Sequence, residues 1–354
     1  MTHMTTFRPF SQIIGQERAI HFLKRVMSKK KIPHAYLFSG ISGIGKTTVA
    51  LAFTQALNCH DSINGEGCGR CPPCRQIISG NFPDLALIEP EGQHIRIEQI
   101  RGLTRTISFK LVSGLYRVSI IRLAGTMTEE AANAFLKTLE EPPPGNILVL
   151  SVTEPLDLLP TIVSRCQKIP FLPIPVRDIA DWLIKQKDVD ETKALLLARI
   201  SEGSLGKAIH LCDSNFYEKR HDHLSRIIRL PKLTSEQALE MALEYTEREK
   251  KKVADASSKE ETGLFELLSV WKTWYRDLLL MKVKSPVDWL INFDFSHKLK
   301  NISKNYSMKG LIDSLLLIDQ AQVDLLHTRN LDLMMENTFL TLREIADKKE
   351  GHAS

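Results

Sequence analysis

Gly40-Ile41-Ser42-Gly43-Ile44-Gly45-Lys46-Thr47-Thr48 carries the most specific chemistry in the chain. It fits G-x-x-x-x-G-K-[ST], the phosphate-binding loop of nucleotide-binding α/β domains. Gly40, Gly43 and Gly45 let backbone N–H groups turn inward around a polyanion. The helix that follows offers its positive N-terminal end to the same phosphates. Lys46 is expected to pair with the β- and γ-phosphates, and the Thr47 hydroxyl to ligate Mg²⁺. The flanks agree, with the short apolar strand Ala35-Tyr36-Leu37-Phe38 before the loop and a helix from Thr48 to Phe53 after it. A glycine-rich turn that binds nothing is a poor alternative when strand, loop, Lys-Thr and helix are all in register.

A second group is Cys59-x8-Cys68-x2-Cys71-x2-Cys74, four of the six cysteines within sixteen positions. Two-residue gaps let neighbouring thiolates reach one ion, and four thiolates close a tetrahedral Zn²⁺ shell with no position left for water. The expectation is a structural zinc; a loop of free cysteines is the alternative. His60 is adjacent and could compete as a ligand, but the all-cysteine set is simpler.

The rest of the chain must position these groups. Its 354 residues exceed one ordinary core and suggest two or three domains. With 43% hydrophobic and 25% charged residues it reads as a soluble globular protein. No run approaches the ~20 apolar residues of a membrane span, and Met1 to Ser11 lacks the apolar core of a secretory signal. A cytoplasmic location is therefore expected, where clustered cysteines point to metal and not to disulfides. The net charge of +5 permits contact with nucleic acid without demonstrating it.

Apolar spacing predicts an amphipathic helix over 12–32, ending in Lys29-Lys30-Lys31. Strands are expected at 85–88, 117–123, 146–152 and near 166–171, with helices over 97–109 and from the Thr128 cap to Leu139. Strands alternating with helices mean a parallel sheet covered on both faces. The Leu172-Pro173-Ile174-Pro175 break closes this domain at 172. A small helical lid follows over 173–215, then an all-helical domain over 216–347 and a polar tail over 348–354. Trp271 and Trp274 fall on an apolar helix face and read as core, not as a platform for bases. Lys250-Lys251-Lys252, amid Glu247, Glu249, Asp255 and Glu260, reads as a mixed-sign solvated segment.

With these pieces in place the chain resembles the clamp-loader branch of the AAA+ ATPases, and more narrowly its delta-prime type in bacterial DNA polymerase III. The resemblance is carried by Ile14-Gly15-Gln16, Pro33-His34-Ala35-Tyr36-Leu37, the phosphate loop, the four cysteines, Asn133 through Pro143, and Ser164-Arg165-Cys166. Beyond residue 215 only length and helical character are shared. The resemblance implies an AAA+ domain with an inserted zinc module, a lid and a C-terminal collar. It also implies gamma/tau and delta subunits as partners, with the sliding clamp and primed DNA reached through the complex. Arg165 would then be an arginine finger acting in trans on a neighbour's γ-phosphate.

Departures from the pattern narrow the role. A hydrolysing P-loop enzyme needs a carboxylate at the end of the third strand for Mg²⁺ and a second to orient the attacking water. Arg122-Leu123 stands there instead, and Glu129 and Glu130 belong to the next helix start. Thr153 keeps the first-sensor position, while Gly206 replaces the second-sensor arginine beside Lys207. The expected function is a non-hydrolysing clamp-loader subunit that binds ATP/Mg²⁺ without turning it over. A gamma/tau-like ATPase is the first alternative, and a zinc-stapled scaffold with a vestigial loop the second.

Overall fold

The structure, a computed structural model, describes residues 8–255, 263–327 and 330–347, with side chains given for 8–247, 263–325 and 330–346. The side chains of Lys250-Lys251-Lys252 and the tail 348–354 lie outside the described residues. The chain forms two compact units, 1–210 and 211–354.

The first unit is α/β. In order it runs α1 (Glu17–Ser28), β1 (Ala35–Ser39), α2 (Lys46–Asn58), α3 (Pro72–Ile78), β2 (Leu85–Ile88), α4 (Ile97–Ser108) and β3 (Arg117–Ile121). It continues α5 (Glu129–Glu140), β4 (Asn146–Val152), α6 (Pro160–Val163), β5 (Gln167–Pro170), α7 (Val176–Lys187), α8 (Glu191–Ile200) and the start of α9 (Leu205–Asp213), which runs on past the end of the unit. The five strands are parallel in the order β2-β3-β4-β1-β5.

A parallel sheet needs apolar cover on both faces, and β1 supplies side chains to each. Tyr36 and Phe38 enter the cluster built with Leu23, Val49 and Phe53. Ala35 and Leu37 enter the opposite cluster, with Ile100, Phe135 and Leu139. These four of the five β1 residues are essentially inaccessible, so truncating Leu37 to Ala would cost about 2–5 kcal/mol.

The approach to β3 is fixed by a buried ion pair. Asp84 accepts N–H bonds from Ser113 and Gly114 (2.8 Å each) and from Val112, and takes the Arg117 guanidinium at 2.9 Å. Burial alone would raise the Asp84 carboxyl, but these N–H groups and Arg117 hold it below the ordinary range. Arg117 also donates to the carbonyls of Thr106, Phe109 and Lys110.

Two boundaries differ from the sequence reading. The first helix starts at Glu17 and not near residue 12, because Gly15 takes φ +73° and a side chain there would strike Ile174. The amide of Gln16 instead donates to the carbonyl of Leu172 at 2.9 Å. β3 ends at Ile121, and Leu123 adopts a left-handed φ of 49°. Thr128 caps α5 as expected, its hydroxyl accepting the N–H of Ala131.

The second unit is helical throughout its described residues. Its helices are α10 (Phe216–Arg229), α11 (Ser235–Asp255), α12 (Gly263–Lys282), α13 (Ser296–Ile302), α14 (Met308–His327) and α15 (Leu331–Asp347). Trp271 and Trp274 are buried, and Trp271 packs on Phe339 with ring centroids 4.7 Å apart. Inaccessible Arg220 is neutralised by Asp294 at 2.8 Å and bonded to Asn292. Among the described residues no helix is long and apolar enough to cross a membrane.

Candidate nucleotide pocket and metal centre

Helix α2 joins both candidate sites. Its N-cap is Gly45 and its C-cap is Cys59, so the glycine-rich loop meets one end and the cysteine cluster the other.

At the N-terminal end the loop turns on left-handed Gly43 (φ +72°) and Gly45 (φ +104°), conformations that favour glycine. Val49 donates the first intrahelical bond, to Gly45, so the N–H groups just before it are free to meet an anion. Lys46 bends back along the loop, its Nζ donating to the carbonyls of Gly40 and, at 2.9 Å, Ile41. An ammonium has three donors, so one is left for a phosphate. Burial first, and the nearby Arg122 second, push Lys46 down to about 8.

A cavity of about 300 Å³ opens above this loop. Gly43, Gly45, Lys46, Thr47 and Thr48 line it, together with Arg122, Ser151 and Thr153. Its apolar wall comes from Ile13, Ile14, Ile174, Leu205 and Ile209, and Arg8 also lines it. Gly40 lies behind the wall, its N–H donating to the Thr153 carbonyl at 3.0 Å. The α9 start closes directly on the loop. Gly206 N–H donates to the Gly43 carbonyl (2.8 Å), and the Ser204 hydroxyl to that of Ser42 (2.8 Å). A Cβ on Gly206 would come within 2.9 Å of Gly43 Cα, so this approach requires glycine there. Lys207 turns instead toward Glu202 (3.7 Å) and does not line the cavity. Glu129 and Glu130 sit in the first turn of α5, also outside the cavity lining.

The apolar wall and one carboxylate escaped the sequence reading. Glu89 follows β2 and forms an ion pair with Arg122. The signal was available in the register: Ile88 pairs with Ile121, so the next residues, Glu89 and Arg122, come side by side.

At the C-terminal end of α2 the Sγ atoms of Cys59, Cys68, Cys71 and Cys74 all lie within 4.8 Å of one another. Two separations, Cys68 to Cys74 and Cys59 to Cys71, are 4.0 Å. Zn–S bonds of about 2.3 Å in a tetrahedron give S···S edges of about 3.8 Å, so the donor set fits one such ion. Two sulfurs already accept backbone N–H bonds, Cys59 from Cys68 (3.1 Å) and Cys68 from Cys71 (3.3 Å). The N–H groups of Arg70 and Cys71 bring the Cys68 thiol down to about 6, whereas burial pushes Cys59 and Cys74 up. Metal ligation at Cys59 and Cys74 would therefore have to displace protons that burial favours. His60 is exposed and outside the cluster. The loop is tied to α1 by Lys24 and Glu66 at 2.9 Å.

Arg165 lies away from both ends of α2. It follows α6 on the surface, where its guanidinium takes Glu140 at 2.6 Å and donates to the Thr161 carbonyl at 2.9 Å. It does not line the cavity. Its neighbour Cys166 is buried, which pushes that thiol up to about 11.

Residues 15–175 match the family described as DNA polymerase III, delta subunit. DNA polymerase III subunit tau of Escherichia coli is 36% identical over 209 residues, 58% of this chain. The chain spans about a third of that protein's length, 32%. A solved gamma subunit-related protein of DNA polymerase III from Thermotoga maritima is similar at 20% identity, covering 93% of this chain and 99% of that one with a TM-score of 0.43. DNA polymerase III subunit delta' of Bacillus subtilis is 32% identical over 330 residues, 93% of this chain and 96% of that protein. Since that likeness extends over both units and almost the whole of each protein, the chain belongs to the family of DNA polymerase III delta-prime subunits.

Proposed function

We propose that the chain is a non-hydrolysing subunit of a bacterial clamp loader. It holds nucleotide in its own phosphate loop and supplies Arg165 to an ATP site on a neighbouring subunit. The observation that carries this reading is the end of β3, where Arg122 and Leu123 follow Ile121 on the cavity wall. Arg122 cannot ligate Mg²⁺ and Leu123 cannot polarise a water, whereas phosphoryl transfer to water requires both functions. The loop itself keeps its phosphate-facing glycines, Lys46 and Thr47, which supports binding without turnover.

Arg165 suits work in trans because it is exposed, lies off the chain's own cavity, and has its guanidinium steadied by Glu140. Membership of the delta-prime family makes gamma/tau and delta subunits the neighbours, and the sliding clamp and primed DNA the objects handled. The second unit is the part assigned to assembly as a collar. The four cysteines hold zinc as a staple across the loop between α2 and α3, with Cys59, Cys68, Cys71 and Cys74 as ligands.

The test is Arg165→Ala in the reconstituted assembly with its gamma/tau and delta partners. ATP turnover should fall about tenfold or more while subunit composition is unchanged. Unchanged turnover would remove the finger.

A further inference from the structure

The cavity wall holds Arg8, Lys46 and Arg122 and, among the described residues, no carboxylate. That balance is unusual for a loop whose ligand normally arrives with Mg²⁺. The metal demands near-octahedral oxygen ligands and is commonly held through one or two carboxylates beside the phosphates. Here the lining offers hydroxyls, Thr47 first among them by the loop motif, and the strand-end position carries a cation. Arg122 is also fixed in place. Its backbone N–H donates to the Ile88 carbonyl at 2.8 Å, and Glu89 pairs with its guanidinium from the adjacent strand.

A guanidinium offers a planar fork of donors that matches phosphate oxygens two at a time, needs no water shell and stays charged at any working pH. A metal-complexed triphosphate also brings less negative charge to three cations than the free one does. We propose that Arg122 takes the place of Mg²⁺ in this pocket, so that the loop binds a nucleoside triphosphate free of metal. Glu89 then acts as the gate on that cation, occupying the guanidinium until phosphate competes for it. This rests on the reading that the phosphate loop binds nucleotide.

The test is calorimetric titration of ATP into the full chain in excess EDTA and in excess Mg²⁺. The wild type should bind in EDTA with a dissociation constant no weaker than in Mg²⁺, within about threefold. Arg122→Asp, which puts a carboxylate back at the strand end, should reverse the order and bind at least about tenfold more tightly with Mg²⁺. Glu89→Gln should tighten wild-type binding in EDTA. Wild-type binding weakened about threefold or more by EDTA would overturn the proposal while leaving the nucleotide reading intact. An Arg122→Asp variant with the metal response of the wild type would overturn it too. No binding in either buffer would overturn both.

Discussion

The two ends of α2 ask for opposite charges. At its N-terminus the chain gathers the cationic Arg8, Lys46 and Arg122 on one cavity, the charge that the proposed phosphate ligand calls for. At its C-terminus it gathers four sulfurs, two of them buried deeply enough that burial keeps their protons on, a receptor for a cation. The helix dipole favours both placements, being positive at Gly45 and negative at Cys59. The difference lies in how each end is made. The sulfur site is self-contained within residues 59–74. The anion site draws on the loop, the ends of β3 and β4, the chain before α1 and the start of α9.

Removing the cation end should have the largest effect. Cys74→Ser removes a fully buried ligand. Zinc should fall from about one equivalent per chain to near none, and the melting temperature by roughly 5 °C or more, because metal-binding energy is folding energy there. Metal analysis and a thermal scan check this. Less than about half an equivalent in the wild-type protein would rule out the zinc staple.

A smaller effect should appear at the anion end, in its pH dependence. Lys46 stands at about 8 without ligand, and bound phosphate raises it, so binding takes up a proton above that pH. ATP affinity should be level below about pH 8 and weaken by up to about tenfold per unit above it. Lys46→Ala should bind weakly with a flat profile. Stability of the unliganded chain has the opposite sign. A lysine lower folded than unfolded binds fewer protons folded, so stability rises with pH from about 8 toward the ordinary 10.5.

The two ends were also unequally legible in the sequence. The cysteine spacing named the four sulfurs that come together, since residues joined by short gaps have little choice but to meet. The loop motif named Gly43, Gly45, Lys46 and Thr47, and short continuous apolar runs gave the five strands to within about two residues. What spacing could not supply was long-range. Ile13 and Ile14 read as part of a helix until Gly15 turned the chain and set them on the cavity wall. Glu89 needed the β2–β3 register before it became Arg122's partner, and Glu140 lies 25 residues from Arg165. Gly206 read as a lost arginine. In the fold it is what lets α9 close on Gly43.

Phosphate release from the purified chain alone, with saturating Mg-ATP and beside Lys46→Ala, shows whether the chain hydrolyses what its loop holds. The wild type should bind ATP saturably and release phosphate no faster than Lys46→Ala. Release that Lys46→Ala abolishes would contradict that expectation, because a catalytic carboxylate would then have to act where the fold places Arg122 and Leu123.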